Sequence, residues 1–149
     1  MESLFQSTVA EEILNRLDKL QPGTKPLWGK MNVSQMLAHS KVPLEVALGK
    51  KELKKTLMGF VFGKIGKKQM LKPEPFKKNL PTDPRFVVKH TPDFFKEKQE
   101  LTSLIKEFSS ADPNEIAVRP HPFFGKMNAE EWGWLQYKHL DHHLRQFGL

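Results

Sequence analysis

Two stretches of this chain enter a helix in the same way. Residues 26–35 read PLWGKMNVSQ and residues 122–131 read PFFGKMNAEE. In each, a glycine permits a sharp approach, a methionine sits where a hydrophobic staple forms, and an asparagine caps the first turn. Gln35 and Glu131, three residues beyond Asn32 and Asn128, complete capping boxes. Good helix starts resemble one another, so the match establishes a shared entry turn and nothing more. It predicts a helix from Asn32 to about Gly49, with Pro43 as a point where it kinks or breaks. It predicts another from Asn128 to about Phe147, stopped at Gly148.

Two more helices follow from periodicity. Val9, Ile13, Leu14, Leu17 and Leu20 have the spacing of one helix face over residues 8–20. Ser7 or Thr8 is the expected cap, Glu11 and Glu12 suit the first turn, and Pro22-Gly23 stops the helix. Asp93 is the expected cap of a helix to about Ser109, with Phe94, Phe95, Leu101, Leu104, Ile105 and Phe108 for packing and Ala111-Asp112-Pro113 as the stop. Residues 50–93 are irregular and hold prolines 73, 75, 81, 84 and 92. They are read as a short helix near 51–62 and a long crossing connection, with Phe60, Val61, Phe62 and Ile65 folded back onto the core. The expected class is all-α, in one domain over residues 1–149.

The chain has 149 residues and no cysteine, which leaves histidine and carboxylates as the strong metal ligands. Its net charge of +7 is concentrated: residues 50–78 hold ten lysines against Glu52 and Glu74, or +8, so the remainder is −1. The N-terminus lacks the features of a signal peptide, and no apolar run is long enough to span a bilayer, so a cytoplasmic protein is expected.

The chemistry concentrates in YKHLDHHLRQF. His139 and His143 are four apart, so on a helix both imidazoles can face one ion. Trp132, Leu135 and Gln146 lie on or near that stripe, which marks it as inward. A two-histidine site needs a third ligand, and His39 in VSQMLAHS is the best inward candidate on another helix. His142 lies close by; His121 reads as a turn residue and His90 as exposed. Each histidine alone is more often a core or surface residue than a ligand.

At these residues the chain resembles the DinB/YfiT-like superfamily of four-helix-bundle metalloenzymes, and within it a bacterial subgroup. The resemblance rests on MLAHS, on HxxHHxxQ from His139 to Gln146, and on HPFFG before the last helix. It implies an up-down-down-up four-helix bundle with a long link between helices two and three. It also implies a divalent metal held by His39, His139 and His143. Many relatives have HRGQ where this chain has His143-Leu144-Arg145-Gln146.

The expected function is therefore that of a metal-dependent enzyme, a transferase or hydrolase, whose three-histidine site activates a thiol or a water. Zn, Ni and Fe are the expected metals, with Cu also suited to three imidazoles. The expected partner is a small-molecule substrate, with a low-molecular-weight thiol favoured because no HExxH-like carboxylate base is present; bundles of this size often form homodimers, and the sequence leaves the oligomeric state open. The competing expectation is a non-enzymatic binding module that uses residues 50–78 against an anionic surface or nucleic acid. Nucleic acid is disfavoured, because no known binding motif accompanies the lysines.

Overall fold

A computed structural model describes residues 2–149. Among them are six α-helices and no strand: α1 (Ser7–Asp18), α2 (Val33–Ala47), α3 (Leu57–Met70), α4 (Phe94–Ser110), α5 (Pro113–Ala117) and α6 (Ala129–Gln146), with a 3-10 turn over Pro84–Phe86. The all-α expectation holds. Helix α4 packs on α1 and α2, and α6 packs on α1, α2 and α5. Leu37, Leu44, Ile105, Phe108, Trp132 and Leu144 are among the buried side chains at these junctions.

Both capping boxes form. Asn32 accepts from the Gln35 amide and Gln35 Oε1 from the Asn32 amide; Asn128 and Glu131 do the same. Gly29 and Gly125 both have left-handed backbones, with φ of 81° and 73°, so the shared entry turn is real and needs glycine. Helix α2 runs through Pro43 without a break. Proline lacks the N–H that would bond the His39 carbonyl, and the Pro43 carbonyl itself accepts from Gln136 Nε2 at 3.2 Å. Asp93 caps α4 as expected, and Gly148 ends α6 with φ 82°.

Local expectations are corrected in two helices, α1 and α3. Helix α1 is capped by Gln6 without a side-chain bond, and no acidic residue lies in its first turn. Tertiary anchoring stands in for the cap: Leu4 is fully buried, its amide donates to the Gly133 carbonyl at 3.1 Å, and the Phe5 ring stacks on Phe108 at 4.5 Å. The stop at Ala111-Asp112-Pro113 holds, α4 ending at Ser110, and the residues beyond it form α5, with proline in its first turn and Asp112 capping.

The largest correction concerns α3. It starts six residues later than expected and runs to Met70, because Thr56 caps it by accepting from the Gly59 amide. Phe60, Val61, Phe62 and Ile65 do not fold back; they are 75%, 58%, 47% and 69% exposed. Glycine decides which face turns inward. A Cβ on Gly59 or Gly63 would come within 2.9 Å or 2.3 Å of the Phe123 backbone, so α3 lies against residues 122–124 by its side-chain-free face. Its C-terminus is held by α6: Trp134 Nε1 and Lys138 Nζ both donate to the Met70 carbonyl, and Lys138 also to that of Lys72 at 2.6 Å.

Candidate metal centre

Helices α2 and α6 bring His39, His139 and His143 to one point. A potential ligand nitrogen from each lies within 4.8 Å of the other two. His39 Nε2 and His139 Nε2 are 3.1 Å apart. Two imidazole nitrogens bound to one tetrahedral ion at about 2.05 Å sit roughly 3.3 Å apart, so this pair already has the edge length of such a site. The ring centroids stand 4.7–5.0 Å from one another.

Hydrogen bonds assign the free nitrogens. His39 Nδ1 lies 3.1 Å from the Phe86 carbonyl. A carbonyl only accepts, so Nδ1 carries the proton and Nε2 is left with its lone pair. For His143 the assignment passes through Gln146. The Gln146 amide nitrogen donates to the Trp28 carbonyl at 2.8 Å, which fixes its oxygen toward His143 Nδ1, 2.9 Å away. His143 Nδ1 must then donate, and its Nε2 is the free ligand atom. His139 Nδ1 is buried without any partner, so no protein group fixes that ring's tautomer. With its proton on Nδ1, its Nε2, the nitrogen 3.1 Å from His39 Nε2, would offer a lone pair to an ion.

Electrostatics keep the rings neutral, the state in which imidazole binds metal. Burial lowers the pKa of His39, against a smaller upward pull from its bond to Phe86. His139 is lowered well below the usual histidine range, by burial first and then by its histidine neighbours. His143 is pushed down to about 3 by burial and by His39. The donor set therefore fits a divalent ion of borderline softness: three neutral nitrogens, two held in the correct tautomer by neighbouring oxygens, and one with an unused polar atom.

The entry turn before α2 belongs to this site. The chain at Gly29 passes so close to α6 that a Cβ there would lie 2.5 Å from Gln146 Nε2. The Leu27 amide also donates to the Gln146 carbonyl at 2.7 Å. Phe86 comes from the 3-10 turn of the crossing link, where Asp83 accepts from the Arg85 amide. Neither Trp28 nor Phe86 was marked by the sequence as a site residue. They act through backbone carbonyls, which no side-chain pattern reveals.

The other expected positions fall as follows. His142 is half-buried beside the rings of Trp28 and Phe76, outside the three-nitrogen cluster. His121 is a turn residue: its Nδ1 accepts from the Phe123 and Phe124 amides, and burial pushes its pKa down to about 4. His90 is exposed. Asp141 faces away from the histidines, paired with Arg16 at 2.9 Å and Arg145 at 2.8 Å. Glu45 lies along a surface groove with Lys50, Lys96 and Glu100.

The geometry defines an all-helical protein with a buried cluster of three histidines able to hold a metal ion. The chain belongs to the DUF1569 family, described as a protein of unknown function, whose model matches residues 2–148. No curated protein and no solved structure matches it.

Proposed function

We infer that this protein is a metal-dependent enzyme whose His39, His139 and His143 hold a divalent ion, Zn, Ni or Fe, and that it acts on a small molecule. The observation that carries the reading is the convergence of three neutral imidazoles, two of them oriented by the Phe86 carbonyl and Gln146. A structural ion normally takes four protein ligands, whereas three leave a position for a reactant. A divalent ion there would supply Lewis acidity, lowering the pKa of a thiol or water so that its anion forms near neutral pH.

The residues around the site favour a thiol. Asp141, the carboxylate nearest in sequence on α6, is occupied by two arginines, and no carboxylate belongs to the cluster. A free thiol has a pKa of about 8.5 against about 15.7 for water, so it needs no protein base to yield an anion. A low-molecular-weight thiol transferred to an electrophile is therefore the preferred reaction class, with hydrolysis second. The chain's own contribution is to hold the three rings, keep them unprotonated and limit water access.

The DinB-like architecture is part of the same reading. Helices α1, α4, α2 and α6 contact one another in a closed ring, α6 returning to α1, as an up-down-down-up bundle in one domain requires. Residues 48–93, with α3, then form the long link. A cytoplasmic location is part of the same reading; among the described residues no helix is long and apolar enough to cross a membrane.

Elemental analysis of freshly purified full-length protein tests the metal. About one equivalent of a transition metal is expected, lost in each of His39→Ala, His139→Ala and His143→Ala. Retention of tightly bound metal by all three variants would overturn the reading. Cobalt loading followed by a small thiol should give a thiolate-to-metal charge-transfer band; its absence would remove the thiol assignment and leave the metal site standing.

A further inference from the structure

We propose that α3 is a docking helix for an anionic lipid bilayer, lying in the interface with its apolar side chains inserted and its lysines against the headgroups. Most helices bury their apolar stripe; α3 presents one to solvent. Leu57, Val61 and Ile65 recur every four residues, with Met58 and Phe62 beside them, and all five are exposed, from 47% to 80%. The opposite face, Gly59, Gly63 and Met70, is turned toward the protein. The glycines leave no room for rotation of this helix about its axis, since a Cβ at Gly63 would meet the Phe123 carbonyl oxygen at 2.3 Å. The apolar face is therefore held outward by packing.

Charge selects the occupant. Lys64 and Lys68 are exposed next to the apolar stripe, and Lys54, Lys55 and Lys72 flank the helix ends. Among the described residues, only Lys50 and Lys67 of the ten lysines at 50–78 enter ion pairs, with Glu107 and Glu131. An apolar arc edged by lysines is the pattern of an interfacial helix, in which insertion and attraction to anionic headgroups act together. A second copy of this chain would bring one +8 segment against another, and like charge disfavours that pairing. Nucleic acid would use the lysines and leave the aliphatic side chains Leu57, Val61 and Ile65 without a role. The segment also contains no arginine.

The lack of cysteine supplies a clean probe. Ile65→Cys in the full chain, labelled with an environment-sensitive dye, should shift to shorter wavelength with phosphatidylcholine vesicles containing about 30% phosphatidylglycerol. The same dye on Val118→Cys, at an exposed position on the end of α5, should not respond. Co-sedimentation with those vesicles should weaken about tenfold with added salt and at least about tenfold in Val61→Glu, whose site is already in water. No response at Ile65→Cys, an equal response at Val118→Cys, or binding unchanged by Val61→Glu would each overturn the proposal. So would self-association that Val61→Glu abolishes in a protein that ignores vesicles, which would make the face a contact between copies. Binding to a single-stranded oligonucleotide but not to vesicles would overturn it equally.

Discussion

The side-chain oxygen of Gln146 lies 2.9 Å from Nδ1 of His143, and it can only face that way because the Gln146 nitrogen is bonded to the Trp28 carbonyl. One amide thus links the entry turn of α2 to the tautomer of a proposed ligand on α6. Replacing such a partner typically lowers metal affinity 10- to 100-fold. Gln146→Leu should show a loss of that size in chelator competition. Because it leaves His143 Nδ1 and the Trp28 carbonyl unpaired, it should also cost about 1–3 kcal/mol of stability. Unchanged affinity would show that Gln146 does not orient the ring.

Gly29 should tolerate no side chain. Its φ of 81° disfavours one, and a Cβ would sit 2.5 Å from Gln146 Nε2. Gly29→Ala is expected to destabilise by about 1–3 kcal/mol and to weaken metal binding through displaced Gln146. Gly23→Ala, where a Cβ would meet nothing within 4 Å, should leave both properties unchanged. Thermal melts and chelator competition on the two variants check this.

Asp141 should matter for folding and not for chemistry. It is 6% exposed and joins Arg16 of α1 to α6, while the same Arg16 donates to the Leu149 carbonyl at 3.0 Å. Asp141→Asn leaves a largely buried guanidinium with only Glu12, 3.6 Å away, as counter-charge and should cost about 1.5–3 kcal/mol. Metal content should stay at the wild-type level. Denaturant titration with elemental analysis separates the two effects, and metal lost from folded variant would contradict the placement of Asp141 away from the site.

Acid should unfold the metal-free protein early. His121 is pushed down to about 4 and His143 to about 3, against a usual value of 6.5. The unfolded chain therefore binds protons first as pH falls, and stability present above about pH 6.5 is lost progressively toward pH 4 and below. For His121 the loss is at most about 3 kcal/mol. Urea titrations at pH 7.5, 6 and 5 in chelator should show the midpoint falling at each step, and His121→Gln should flatten the dependence. A midpoint constant from pH 7.5 to 5 would contradict it.

Much of this protein is legible in its amino-acid order. Local signals placed α2, α4 and α6 to within a residue or two, because a cap and its partner three residues on act at short range. The three histidines were legible for a related reason: i and i+4 on a helix must share a face, and His39 was the inward-facing histidine on another helix, which the resemblance also implied. The partners of those histidines were not. Phe86 lies 47 residues from His39, and Trp28 lies 118 from Gln146. Each contributes a carbonyl, a group every residue has.

The amino-acid order by itself determined where the helices begin, which imidazoles share a helix face, and where positive charge accumulates. These depend on neighbours within a turn or two. Only the tertiary structure decided which face of each helix meets the protein. In α3, hydrophobicity argued for burying Phe60, Val61 and Ile65, but glycines 59 and 63 permit a closer backbone approach to residues 122–124 than any apolar side chain would. Close packing, and not residue polarity, therefore set the orientation of that helix.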